Sequence, residues 1–417
     1  MDTTKPVALK VKELIVKVAS RCNLNCSYCY VYNKGDDTWR RQPRVMSSET
    51  VEALMHTVRR HCERHGLEWF VFHFHGGEPM LCGPAFFVDF VAAARRVLEP
   101  AVRPRFMMQT NGTLLDDEWC RLLNELEIGY GISIDGPEAI HDRNRVDHAG
   151  RGSYRQVRAG IEAMMRAAAG TNNRHGVLTV IDLAADPIAS YEHLKELGVH
   201  SADFLLPDST IDQPPPGFAP GETPYADWLI PIFDRWFAER PMPIRLRLFE
   251  LIVAQILGSS RKVDYLGAGA NEMLFIETDG GIAPSVILNI CSPGITDVGA
   301  NVFTHELDDV LQAELVQQYH LSGQRLCGTC RACPVSEICG GGYLPHRYSA
   351  HNGFDNPSVY CADLMKLITH VRCAVGVALP AEKRRPLRLE PLSFEEAKRR
   401  LPVASHKGRR ASLPLIA

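Results

Sequence analysis

From residue 13 to about 206 short apolar runs alternate with stretches whose apolar positions recur every three or four residues. The runs predict strands at Glu13–Ala19, Trp69–His75, Arg105–Thr110, Gly129–Ile134, Gly176–Ile181 and Asp203–Leu206. The recurring stretches predict helices at Ser47–Arg64, Pro84–Leu98, Asp116–Leu126, Ser153–Ala168 and Pro187–Leu197. Ser47 and Asp116 each stand just before an acidic residue and an apolar periodic run, where a helix cap belongs. Six β/α units in succession predict an α/β fold with a parallel sheet and helices outside it. A barrel and an open doubly wound sheet both satisfy that alternation, and both bind ligands at the C-terminal ends of their strands.

After residue 206 the pattern changes. Residues 207–223 are proline-rich and poor in apolar side chains, as a loop or linker is. Helical patterns follow at Tyr225–Ala238 and Leu246–Leu257, a hairpin at Met273–Thr278 and Ile282 onward, and one helix over Glu306–Leu321. The expected organisation is a barrel at 1–206, a linker and bridging helices at 207–270, a second domain at 271–380 and a Lys/Arg-rich tail at 381–417 that drapes over the surface or frays.

The chain has 417 residues and a net charge of −3, so nothing in its overall electrostatics calls for a nucleic acid or a membrane surface. No apolar run reaches the roughly eighteen residues of a membrane span, and the N-terminal residues lack a signal-peptide pattern. A cytoplasmic location is expected. The 13 cysteines cluster, three near the N-terminus and five between Cys327 and Cys361, and in that compartment clustered thiols point to metal or redox chemistry.

Chemistry-bearing residues gather at strand ends. Cys22, Cys26 and Cys29 follow the first strand, Gly76-Gly77-Glu78-Pro79 the second, Asn111-Gly112 the third and Asp135-Gly136 the fourth. Three thiolates spaced x3 then x2 can hold one iron–sulfur cluster and leave an iron open to a ligand. A zinc site is the alternative, but zinc favours four closed ligands, and no His or Cys follows Cys29 until His56. His73 and His75, between Phe72 and Phe74, are expected to be packed inside the barrel.

The Cys22/Cys26/Cys29 motif, with Tyr28 before its last cysteine, resembles that of the radical S-adenosylmethionine (SAM) enzymes. The resemblance implies a partial (β/α)6 barrel, a [4Fe–4S] cluster on the three cysteines, SAM on its open iron, and an external electron donor of the flavodoxin or ferredoxin type. Gly76, Gly77 and Glu78 match the family's GGEP motif, with Glu78 receiving the SAM ammonium. Ser133 matches its SIDG serine and Arg145 its carboxylate-binding arginine, Arg143 lying only two residues away. Tyr28 falls where the family has an aromatic neighbour of the adenosine, and Gln109–Gly112 matches the turn after the third strand.

Cys330, Cys333 and Cys339, with Cys361 downstream, resemble the SPASM domain of radical SAM peptide maturases, which implies a closed auxiliary [4Fe–4S] cluster. A structural zinc knot is the alternative. A full SPASM domain binds two auxiliary clusters. Here Tyr343 stands where a further cysteine belongs, and Pro284-Ser285-Val286 where sulfatase-maturing members have Pro-Cys-Asp, so one auxiliary cluster is expected. Cys327 and Cys291 are left without an assigned role, and Cys62, Cys82, Cys120 and Cys373 read as small buried apolar residues.

Over about residues 11–375, and most clearly from Cys339 to Cys361, the chain resembles the FxsB-type branch. That resemblance implies a ribosomally made precursor peptide as substrate. The product would be a three-residue cyclophane, in which an aromatic ring carbon is joined to a β-carbon. Formylglycine formation, another peptide oxidation and a thioether cross-link are alternatives within the superfamily; a cluster-carrying scaffold is the alternative outside enzymes. Asp355, Glu250 and His346 are conceivable as the catalytic base.

Overall fold

The computed structural model describes residues 9–168, 175–261, 263–384, 387 and 389–402. Six strands, β1 (Glu13–Ala19), β2 (Trp69–Gly76), β3 (Arg103–Thr110), β4 (Ile128–Ser133), β5 (Gly176–Val180) and β6 (Ser201–Leu205), pair in parallel in chain order. Their sheet remains open. It continues past β6 into the two-residue β7 (Arg245–Leu246) and past β1 into β8 (Met273–Ile276) and β9 (Ile282–Ala283). The expected hairpin is present as antiparallel β8 and β9, and β8 pairs in parallel with β1. One sheet thus runs across the boundary expected at residue 271.

Helices α1 (Ser48–His65), α2 (Pro84–Leu98), α3 (Asp117–Glu125), α4 (Glu138–Asn144), α5 (Tyr154–Ala168) and α6 (Pro187–Glu196) follow the strands. Ser47 caps α1 by accepting the Thr50 N–H, and Asp116 caps α3 by accepting the Trp119 N–H, as their positions predict. Strand alternation divides β2 cleanly. Phe70, Phe72 and Phe74 point outward and are fully buried, Phe74 meeting Phe90 of α2 at 4.8 Å between ring centroids, while His73 and His75 line the inner face. Truncating so well-packed an aromatic removes area and leaves a void. Phe74→Ala is therefore expected to cost about 3–5 kcal/mol in a denaturant titration.

Helices α7 (Pro224–Ala238) and α8 (Arg247–Ile256) cover the far edge of the sheet. The single helix expected over Glu306–Leu321 is instead two, α9 (Leu307–Val310) and α10 (Glu314–His320). Extended Ala313 (φ −64°, ψ 134°) separates them, letting Leu307 and Val310 join the main core while Tyr319 enters a smaller one with Leu288, Tyr343 and Leu344. Two short turns, α11 (Gly328–Arg331) and α12 (Ser336–Cys339), carry the second group of cysteines. They lead to α13 (Cys361–Ala378), which packs on α7 and α8. Helix α13 was hidden from periodicity because it has no side-chain cap and is apolar over much of its circumference. The tail departs from expectation, since Leu389, Leu392 and Ala397 are buried in the core; residues 403–417 lie outside the described residues.

Candidate active site

The loop after β1 is held by its backbone. Asn25 N–H donates to Val146 O (2.7 Å) and Ser27 N–H to Asn144 O (2.9 Å), which anchors the cysteine loop on the end of α4 and the strap after it. Cys22, Cys26 and Cys29 then face one cavity of about 400 Å³, within the range of small-molecule sites. Burial pushes the Cys22 thiol up to about 12 and the Cys29 thiol to about 11, so in the bare chain both are neutral; bound iron would displace their protons. Thiolates on one zinc ion, at about 2.3 Å each, would sit roughly 4 Å apart. Among the described residues, the group whose ligand atoms all lie within 4.8 Å is His61, His65 and Asp308, remote in sequence from either cysteine set. The wider triad suits a cluster. Asp308 is itself taken up by hydrogen bonds to His61 Nδ1 (3.0 Å) and His65 Nε2 (2.6 Å) that clasp α1 to α9.

Gly76 and Gly77 serve this loop. A Cβ on Gly76 (φ +138°) would meet Ala19 O at 2.1 Å, and one on Gly77 would meet Arg21 O at 2.2 Å, so no other residue lets β2 end against the cysteine loop. Glu78 is buried and does not line the cavity. Its carboxylate accepts the Asn111 N–H (2.8 Å), the Thr110 hydroxyl (2.7 Å) and the Met80 N–H (3.1 Å), tying β2 to β3. These bonds fix the Glu78 carboxylate between the two strand ends.

Tyr28, Ser133 and Arg145 all line the cavity. Arg145 Nη1 donates to the Tyr28 hydroxyl (2.7 Å), which donates to Asp135 Oδ2 (2.5 Å), while Gln109 Nε2 donates to Ser133 Oγ (2.9 Å). Arg145 Nε is buried with no partner, a donor left for something the cavity would hold. Arg143, two residues away, lies on the surface beside Asp182 (3.5 Å) and does not line the cavity. His75 also lines the cavity, with Nδ1 unpartnered and its basicity lowered to about 4 by burial.

No base proposed from sequence survives well. Glu250 is engaged by Arg245 at 2.7 Å, and Asp355 is absent from the cavity wall. His346 is in the wall with Nε2 unpartnered, but burial lowers it to about 3, which makes it a feeble proton acceptor. The wall has four carboxylates. Asp135 accepts the Tyr28 hydroxyl, Asp363 the Tyr225 and Ala226 N–H groups, and Asp264 the Tyr319 hydroxyl. Asp208, on the loop directly after β6, accepts no hydrogen bond from the described residues. Burial, opposed by Lys34 and aided by Asp264, lifts it to about 7. Sequence reading passed over Asp208 because it stands among prolines; its position next to a strand end was the available signal.

Residues 16–182 match the family model described as the Radical SAM superfamily. That stretch is a radical SAM domain. The chain is 24% identical over 357 residues to the cysteine-type anaerobic sulfatase-maturating enzyme of Clostridium perfringens, spanning 84% of this chain and 92% of that protein. Its fold matches native anSMEcpe with bound AdoMet and Cp18Cys peptide at a TM-score of 0.72 and 22% identity, covering 90% and 97% of the two chains. It also matches Streptococcus suis SuiB bound to precursor peptide SuiA, at 0.53 and 14% identity over 84% and 76%. Among the described residues no helix is long and apolar enough to cross a membrane.

The radical SAM domain implies the [4Fe–4S] cluster and SAM, and the open triad, Tyr28, Ser133 and the spare Arg145 donor fit them. The second group of thiols also faces one cavity. Cys330, Cys333, Cys339 and Cys361 line one small cavity of about 20 Å³, closed by Met365 and Leu401. Cys327 lies outside it, its thiol paired with that of Cys330, which lowers Cys327 and raises Cys330. Where a second auxiliary cluster would need thiols there is a different chemistry. The hydroxyls of Ser285 and Tyr343 are buried without a well-formed hydrogen bond, and Tyr319 donates to Asp264 (3.3 Å). Val286 is buried among Phe275, Ala283 and Met273, and Cys291 packs beside Tyr343 and Leu288.

Proposed function

We propose that the protein is a radical SAM enzyme that modifies a ribosomally made precursor peptide by removing two hydrogens from it in the cavity of Cys22, Cys26 and Cys29. A cluster and SAM bound there would supply hydrogen-atom abstraction from the peptide. Tyr28, Ser133 and Arg145 hold the cofactor's polar groups, and Asp208 takes the proton that leaves when the peptide radical is oxidised. Cys330, Cys333, Cys339 and Cys361 hold one auxiliary [4Fe–4S] cluster as acceptor of the remaining electron; a flavodoxin- or ferredoxin-type protein supplies the priming electron. The carrying observation is that the open triad and an unengaged carboxylate share one cavity.

Two products fit. A cyclophane cross-link is supported by Ser285, Val286 and Tyr343, which depart from the sulfatase-maturing pattern. Formylglycine formation is supported by the likeness to a sulfatase-maturating enzyme over 84% of the chain, which weighs more than the three departures. Asp208 also weakens the case against it, since a base is available without an aspartate at position 286. The test is co-expression with the short peptides encoded beside the gene, followed by tandem mass spectrometry. A change confined to a Cys or Ser selects formylglycine, and an aromatic residue joined to one two positions away selects the cyclophane. Unmodified peptides, with no 5′-deoxyadenosine from reconstituted protein, dithionite and SAM, would refute both.

A further inference from the structure

Arg347 is among the largest fully buried side chains of the protein, at 1% exposure. Its guanidinium donates to three backbone carbonyls, Ser322 O (2.8 Å), Arg325 O (2.6 Å) and Phe354 O (3.1 Å), and its Nε has no partner. Carbonyls satisfy donors but do not cancel charge. Burial pulls Arg347 below its ordinary basicity, and Cys330, Cys327, Asp355 and Cys339 push back, so these groups share one electrostatic neighbourhood. Arginine nevertheless stays protonated in proteins. Gly341 gives the contact a scale, because it lines the thiol cavity and a Cβ on it would lie 3.3 Å from Arg347 Nη1. Cys361 is the first residue of the 18-residue α13, whose aligned peptide dipoles add positive potential at the same place.

The potential of an iron–sulfur cluster depends on its net charge, its hydrogen bonds and its exposure to solvent. Reduction adds a negative charge, which a buried cation stabilises. We propose that Arg347 sets the reduction potential of the cluster held by Cys330, Cys333, Cys339 and Cys361, raising it so that the cluster takes the electron released by the peptide. The balance is simple. One hydrogen atom leaves with the adenosyl radical to give 5′-deoxyadenosine; the remaining peptide radical gives up a proton to Asp208 and an electron to the oxidised cluster, which is reduced by one. Arg347 touches neither peptide nor SAM, so it acts on the reaction through the cluster. The inference rests on the auxiliary-cluster reading above.

The test uses the full chain with Cys22, Cys26 and Cys29 replaced by alanine, so that the auxiliary cluster alone is titrated by electron paramagnetic resonance, with no peptide needed. Arg347→Met is expected to lower the potential by a tenfold change in the one-electron equilibrium or more, about 59 mV. Arg347→Lys, which keeps the charge, should stay near the parent. An unchanged potential in Arg347→Met overturns the inference while leaving the cluster reading intact. If Arg347→Met fails to hold the cluster, Arg347→Gln decides, because its amide can still donate to a backbone carbonyl while the charge is gone: a lowered potential is expected, and a potential equal to that of Arg347→Lys overturns the proposal. A parent that binds no iron at this site sinks the cluster reading and the inference together.

Discussion

Replacing Cys22, Cys26 and Cys29 together by alanine is expected to abolish formation of 5′-deoxyadenosine from SAM, while the protein keeps its fold and its auxiliary iron. Enzymatic accelerations of about a million-fold or more are typical, and here the whole acceleration depends on an iron that these thiols alone present. No neighbouring thiol can replace them, since the Cys82 thiol is turned to Val18 O at 3.3 Å. The fold survives because the loop is tied by the backbone bonds of Asn25 and Ser27; the Cys22 sulfur accepts only the Leu24 N–H (3.4 Å) and an Asn111 contact at 3.7 Å. Iron analysis, thermal unfolding and chromatography of the nucleoside read the three parts separately. Cleavage at the parent rate in the variant would remove the basis for every later step.

Asp208→Asn is expected to separate the two halves of the reaction. Hydrogen abstraction needs no base, so 5′-deoxyadenosine should still form with the co-expressed peptide, but modified peptide per nucleoside should fall by about two orders of magnitude or more, as loss of a general base commonly gives. The pH dependence has a definite sign. Asp208 acts as a base only when ionised, and burial lifts it to about 7, so product formation in the parent should decline as pH falls below that value. The same limb should be missing in Asp208→Asn. Stability gives an independent check. A carboxyl whose folded value lies above its unfolded value contributes stability below the unfolded value and loses it as pH rises through the folded one. Asp208→Asn should therefore melt higher than the parent above pH 7 and equal to it in acid. A variant that makes full product with an unchanged pH profile would return the base to one of the other wall residues, His346 first.

Much of the barrel was legible because its signals are local. An apolar run flanked by turn residues is a strand whatever surrounds it, and Ser47 and Asp116 cap their helices through bonds to residues only three positions on. The cysteine triad was legible for the same reason, since three thiols within eight residues need only one loop. Signals failed where burial all round replaced amphipathic pattern, as in α13, or where one periodic stretch had to serve two cores, as at Ala313.

The motif residues divide in an instructive way. Arg145 and Arg143 have the same side chain two positions apart, and only the turn of α4 and the strap behind it put one under Tyr28 and the other in solvent. Glu78 carries the motif's carboxylate, yet the approach of β3 supplies donors that occupy it.

The order of the strands, the open triad and the shortage of thiols for a second auxiliary cluster were written in the linear chain, where spacing along one loop is itself the chemistry. The surroundings of Asp208 and Arg347 were decided by folding alone. Among the described residues neither has an ion pair, and only packing of distant segments determines which polar groups are desolvated and which find a partner.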